Sequence, residues 1–231
     1  MKSLTYRDFS LVLVRQTERP GFLLSMACNT TLKQDAGNFI VEPASQKLIK
    51  FLLNADHMSM FEHMSMTFLL SNASRSFLAQ ITRHRMASYT SSSQHYQDYS
   101  DYPVIASPLV NKEEAYKKAI KVTYDVYKEL LSLGHKPEEA RQVLPGAKAI
   151  NLIITINARS LINFLVQRLC QRNVAETINA ANCIRNAAIH WWPQVFELIG
   201  PPCKMYGFCT QGHMQAESCK SFIKAKPRFI I

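Results

Sequence analysis

The tightest constraint on the fold lies where INLIITI, Ile150 to Ile156, runs directly into NARSLINFLVQR. An apolar, β-branched run of this length reads as a buried strand. The residues after it have helical spacing. Arg159 and Asn163 are four apart and share one face, whereas Arg168, nine residues beyond Arg159, projects about 180° away at roughly 100° per residue. A strand therefore feeds a helix with polar groups on two faces, which can serve two neighbours.

A second polar group stands in Gln80–Tyr96, QITRHRMASYTSSSQHY. Arg83, His84 and Arg85 are adjacent, and seven residues separate them from Ser93. With the hydroxyls of Ser88, Thr90, Ser91 and Ser92 they form a positive, hydrogen-bonding surface suited to an anion such as a nucleotide phosphate. Phe77, Leu78 and Ile81 predict an apolar helical face ending at this group, with Gln80, Arg83 and His84 sharing another face. The competing reading is a surface helix whose last turn carries cations to complement its dipole.

The rest of the chain alternates strand and helix signals. Phe9–Gln16 predicts a strand closed by the turn at Arg19-Pro20-Gly21, and 22–32 a helix. Glu42-Pro43 opens a helix carrying Leu48, Phe51 and Leu52 to about Asp56. Met64–Leu70 alternates as a strand with one buried face, and His63 immediately precedes it. Asp98–Val110 reads as a surface loop in which Tyr96, Tyr99 and Tyr102 serve as lid or as packing. Asn111 caps a helix over 112–133 that ends at Gly134 and carries Tyr116, Ile120, Tyr124, Tyr127 and Leu131 on one side, a packing face between subunits. A short helix runs from Pro137 to Arg141, and a last amphipathic helix runs over 173–190, with Val174, Ile178, Ala181 and Ile184 inward and Pro193 at its end.

A net charge of +10 and a pI near 9.4 favour phosphate-bearing partners, but the cations are spread along the chain. A nucleic-acid groove needs basic residues interleaved with exposed aromatics, whereas the nine Tyr and twelve Phe mostly fall at core-like spacings. A nucleotide is thus the expected partner, and nucleic acid is not. With 231 residues, 47% of them hydrophobic, the chain is expected to form one domain over 1–231 with a Cys-containing tail over about 200–231. No apolar run is long enough for a bilayer and MKSLTYRDFS lacks a signal-peptide core, so a cytoplasmic, non-membrane protein is expected. In the tail, Cys203, Cys209, His213 and Cys219 match the donor set of a structural zinc site, although without a C-x-x-C knuckle they read equally as unligated thiols.

The stretch His57–Tyr96, with its RHR triplet, seven-residue gap and Ser93, resembles the flavin-dependent thymidylate synthases, and INARSLINFLVQRLCQR resembles that family's second half. The likeness spans roughly residues 45 to 220. It implies an α/β fold with a central, mostly antiparallel sheet flanked by long helices, assembled as a homotetramer with shared active sites. The implied reaction transfers a one-carbon unit from 5,10-methylenetetrahydrofolate to C5 of dUMP, reduced through FAD and NADPH to give dTMP. By the resemblance, His63, Arg83, His84, Arg85, Asn157, Arg159 and Asn163 belong to the flavin. Gln80, Ser93, Gln94, His95, Arg141 and Arg168 belong to the nucleotide, although a solvated helix Arg is an equal reading of Arg141. Arg83, His84, Arg85 and Arg168 are the implied catalytic groups, polarising the uracil ring. The sequence departs from the family where Thr90-Ser91 replaces Asn-Glu and where His95 replaces Arg; Glu176 and Asn179 lie in a degenerate version of a third motif. These departures leave open a different pyrimidine nucleotide or a hydroxymethyl product, and, in another class, a basic nucleic-acid-binding module.

Overall fold

The computed structural model describes residues 3–32, 42–212 and 217–220. Its main sheet has four strands in the order β2 (Ser10–Gln16), β3 (Ser65–Ser74), β6 (Ala149–Asn157), β4 (Ser88–Ser91). The strand β3 is antiparallel to both neighbours. Thr17 N–H meets the Ser65 carbonyl while the Asn72 side chain reaches the Asp8 carbonyl, and Ala158 N–H meets Met64 while Arg75 N–H meets Lys148. The fold is mixed α/β with an antiparallel sheet, as expected.

Within β6 the side chains alternate strictly, with Ile150, Leu152, Ile154 and Ile156 buried and Asn151, Ile153 and Thr155 exposed. The uniformly apolar sequence pointed to burial on both faces, but one face stays open. β3 shows the same alternation, with Met66, Phe68 and Leu70 inward.

The chain divides into two compact units. One comprises Met1–Val12 and Leu69–Ile154. Here β1 (Ser3–Thr5) pairs in parallel with β5 (Val104–Ala106), with Ser3 opposite Val104. The expected loop over Asp98–Val110 therefore contains a strand, because its ladder partner lies at the other end of the sequence. Helix α3 (Arg75–Ile81) is capped by the Ser74 hydroxyl, which accepts from Phe77 N–H at 2.9 Å. Helix α4 (Glu114–Ser132) begins at Glu113 rather than at Asn111, whose side chain is taken by the Ser3 hydroxyl. It ends as expected before Gly134, whose φ of +88° suits a residue without a Cβ. The short α5 (Pro137–Ala140) follows. Val104, Ile120 and Tyr124 form one buried cluster and Tyr99, Tyr127 and Ala140 another, with Leu144 against both.

The hydroxyls of Tyr116 and Tyr124 are buried with no hydrogen-bond partner among the described residues, and Tyr124 is pushed up to about 12 by burial and then by Tyr116 and Tyr127. An unpaired buried hydroxyl costs about 1–3 kcal/mol. Tyr124→Phe keeps the ring and is expected to stabilise the chain by about 1 kcal/mol in urea unfolding. A lowered midpoint at unchanged slope would show instead that the hydroxyl is satisfied by solvent.

The other unit comprises Leu13–Phe68 and Thr155–Ile231. It contains α1 (Pro20–Leu32) and α2 (Gln46–Asn54). The Ser45 hydroxyl accepts from Leu48 N–H at 3.2 Å, so α2 starts at that cap and not at Glu42-Pro43. A 3-10 segment, Met58–His63, packs on α6 (Ala158–Arg168) and leads into β3. Phe61 lies fully buried with its ring 5.9 Å from Trp192, and the Trp191 indole N–H donates to the Thr17 carbonyl at 2.8 Å. Helix α7 (Ala175–Trp191) buries Ala181 and Ile184 as expected, but Ile178 only partly, and Val174 is an exposed cap residue. Pro193 ends α7 and opens α8 (Pro193–Phe196), where its missing N–H costs nothing. Two short tail helices follow, α9 (Pro202–Tyr206) and α10 (Glu217–Lys220).

Candidate active site

In the first unit the Arg-His-Arg triplet lies in the turn after α3, not on the helix. Gln80, half-buried, is still helical, whereas Arg83 and His84 have left the helical path, so the predicted common face does not form. Tyr89 explains the break. Its hydroxyl lies 2.7 Å from the His84 carbonyl and 3.1 Å from that of Ile81, and His84 N–H also meets Ile81, which closes the turn. Arg83 and Arg85 are exposed and His84 is half-buried. The hydroxyl run that follows is the edge strand β4, with Ser88 and Thr90 exposed.

The same unit carries four more of the candidate nucleotide residues, Ser93, Gln94, His95 and Arg141. Ser93 is exposed, with its hydroxyl accepting from His95 N–H at 3.2 Å, and Gln94 is buried. The His95 ring stands 3.9 Å from the Glu138 carboxylate, and Arg141 Nε donates to the Glu138 carbonyl at 3.0 Å. Two of the candidate nucleotide residues, His95 and Arg141, thus meet Glu138. This carboxylate lies near the imidazole at the position where the resemblance implies an Arg.

In the second unit α6 arranges the other group. Asn157 is its N-cap, with the side-chain oxygen accepting from Ser160 N–H at 2.9 Å, which leaves the amide nitrogen as donor. Arg159 and Asn163 are exposed on one face, as their spacing predicted. Arg159 pairs with Glu62, the neighbour of exposed His63, so the 3-10 segment and the helix face come together. Asn163 lines an open groove of about 830 Å³ that also contains Lys50, Asn54, Gln167 and Lys204. Arg168 ends α6 half-buried, and Asn173 Nδ2 donates to its carbonyl at 3.3 Å and to those of Gln167 and Cys170 at 2.8 and 3.0 Å. Glu62 escaped the sequence reading, although its place between Phe61 and His63 was the available signal.

Cys203, Cys209 and Cys219 line one small, largely apolar pocket of about 60 Å³, joined by Cys170 from the end of α6. His213 lies outside the described residues. Among the described residues no three potential ligands are grouped to hold a metal ion, and the thiols form no disulfide. Burial pushes the Cys203 thiol up. No described helix is long and apolar enough to cross a membrane.

A family model described as thymidylate synthase complementing protein matches residues 12–194, a span that contains both polar groups. The chain belongs to that family. Flavin-dependent thymidylate synthases are among its similar relatives: that of Clostridium tetani is 32% identical over 193 residues, covering 75% of this chain and 77% of the relative. That of Pyrococcus furiosus is 29% identical over 235 residues, covering 90% and 92%. The crystal structure of a UMP/dUMP methylase, PolB from Streptomyces cacaoi, bound with 5-Br dUMP, shares the fold with a TM-score of 0.72 at 24% identity, covering 85% of this chain and 96% of that one. The Arg-His-Arg turn with Ser93 and the Asn157–Arg168 helix both lie within the span matched to the thymidylate synthase complementing family.

Proposed function

We propose that this chain methylates C5 of dUMP to give dTMP, with FAD as redox cofactor, NADPH as reductant and 5,10-methylenetetrahydrofolate as one-carbon donor. The observation that carries this reading is the family match over residues 12–194. The names of the similar relatives support it over a hydroxymethylating enzyme or a nucleic-acid-binding module.

Each unit by itself offers donors of the kind that a flavin dinucleotide takes. Arg83 and Arg85 offer exposed guanidinium groups, Arg159 is half-exposed and held by one carboxylate, and Asn157 and Asn163 offer amides. When bound, FAD supplies the reducing equivalents that turn the transferred one-carbon unit into a methyl group. Arg83, His84, Arg85, Arg159, Asn157, Asn163 and His63 hold and orient it. Ser93, Gln94 and Gln80 bind the nucleotide's ribose and phosphate, with Arg141 and His95 on the phosphate. Arg168 binds the pyrimidine oxygens and stabilises negative charge developing there, a task suited to a cation fixed before the reaction begins. Among the described residues the Ser93 hydroxyl is hydrogen-bonded to no base and accepts His95 N–H, which supports a binding role over a nucleophilic one. The working assembly is a homotetramer in the cytoplasm, and the chain acts as one domain.

The test is the visible spectrum of the FAD-treated protein before and after dUMP, followed by mass spectrometry of the product formed with folate and NADPH. Retained flavin whose bands shift with dUMP, and a dTMP product, are expected. A hydroxymethyl product would replace the proposed reaction, and a colourless protein that binds oligonucleotides in a salt-dependent way would replace the enzyme reading.

A further inference from the structure

Lys148 is fully buried, and among the described residues no hydrogen-bond partner reaches its Nζ. That is a costly place for an ammonium group, which in a protein interior is normally paired. Its backbone is fixed. Lys148 N–H donates to the Pro145 carbonyl at 3.0 Å, its own carbonyl accepts Arg75 N–H at 3.0 Å, and it bridges Val104. What Nζ meets instead is aromatic: it stands 3.2 Å from the centroid of Tyr99 and 5.4 Å from that of Tyr102. The two rings meet edge to face at 4.5 Å.

Tyr99 links this cation to the nucleotide segment. Its hydroxyl donates to the Ser93 carbonyl and lies 3.1 Å from Gln97 Oε1, and its N–H donates to the Tyr127 hydroxyl at 3.2 Å. The Ser93–Gln94 backbone is therefore one aromatic ring away from a buried amine. A hydrocarbon side chain would fill the same space without the desolvation cost, so the charge is what Lys148 adds.

We propose that Lys148 is a positioning residue of the nucleotide site: seated on the Tyr99 ring, it fixes the hydroxyl that holds Ser93, and its charge supports from within a phosphate bound at Ser93 and Gln94. The phosphate half of this proposal rests on the reading of the chain as a dUMP enzyme; the hold on Ser93 does not.

The charge state follows from the surroundings. Tyr99 and Tyr102 face Nζ from the loop, Tyr127 reaches Tyr99 from α4, Asp98 lies beside Tyr127, and Arg75 is the cation at the start of α3. Burial first, and then Arg75, lower Lys148 to about 7. A phosphate bound nearby favours the ammonium form, so nucleotide binding and protonation of Lys148 strengthen each other. Binding is then tightest below pH 7 and weakens as pH rises through the Lys148 range, about tenfold for each unit by which the phosphate raises that group.

The experiment titrates the flavin-loaded full chain with dUMP from about pH 6.5 to 9, reading the flavin bands, for the wild type, Lys148→Met and Tyr99→Phe; hydrogen exchange over residues 93–99 is followed without nucleotide. For the wild type the dissociation constant is expected to rise roughly tenfold across that range. Lys148→Met is expected to retain flavin, to bind dUMP roughly tenfold more weakly at the acidic end, and to lose the pH dependence. Because the nucleotide's own phosphate ionises near about pH 6, this variant also supplies the baseline. Exchange over 93–99 rises in both variants, while Tyr99→Phe keeps the pH dependence. A Lys148→Met protein with wild-type affinity, pH profile and exchange would overturn the proposal. If the wild type does not respond to dUMP but Lys148→Met raises exchange at 93–99, the dUMP assignment fails and the hold on Ser93 stands.

Discussion

Arg168→Ala is expected to lower kcat/KM for dUMP by roughly 10²–10³-fold while the protein keeps its flavin. The expected loss is that of removing a cation from charge developing on the pyrimidine, the role proposed for Arg168. Asn173 holds the backbone from which that side chain projects, through the carbonyls of Gln167, Arg168 and Cys170. Flavin binding is spared because Arg159 and Asn163 stand on the opposite face of the helix, and Ala is a good helix former that leaves that face intact. Arg168→Lys keeps the charge but not the planar fork, and should recover only part of the loss. Steady-state kinetics and the flavin-to-protein absorbance ratio make the check. Equal loss of flavin and turnover would contradict the division of α6 into two working faces.

The second large effect concerns stability. Lys148 titrates near 7 in the folded chain against about 10.5 for its ordinary value. Between these two values the unfolded chain carries the proton and the folded chain does not, so stability rises with pH across that window. Below about pH 7 both states are protonated and the folded state bears the full cost of the buried charge. A shift of this size corresponds to about 4–5 kcal/mol at most, softened by local relaxation. Lys148→Met is therefore expected to be more stable than the wild type at pH 7 by a few kcal/mol, with the gap closing toward about pH 10. Urea unfolding of both proteins at several pH values checks this, and a gap that does not change with pH would assign the gain to packing alone. A variant that gains stability while its dUMP affinity falls also separates the role of Lys148 in binding from any role in holding the fold.

The elements legible in the sequence were those whose causes are local. The β6–α6 join, the alternation from Met64 and the Gly134 stop each follow from a few adjacent side chains. Contacts between distant residues were not legible. β5 forms because Ser3–Thr5 pairs with it from the other end of the sequence. Asn111, a good cap by type, is diverted by Ser3. Periodicity extended α3 through the Arg-His-Arg triplet, but Tyr89 captures the carbonyls of Ile81 and His84 and turns the chain there. Lys148 gave no signal, because a lysine in sequence reads as surface and only the fold shows the aromatic corner around it. Likewise the tail thiols were read with His213, whereas the pocket brings in Cys170 from a helix end far upstream.

The two compact units are interleaved along the chain, one from Met1–Val12 and Leu69–Ile154, the other from Leu13–Phe68 and Thr155–Ile231. Synthesis therefore completes them out of step. The first has all its residues once Ile154 has left the ribosome, whereas Leu13–Phe68, made early, must wait for the C-terminal third of the chain. During that interval Phe61 lacks Trp192, and the Thr17 carbonyl lacks the Trp191 indole. A nascent chain of this topology carries exposed apolar surface for most of its translation, and a premature stop near residue 154 yields one whole unit attached to a stranded fragment of the other.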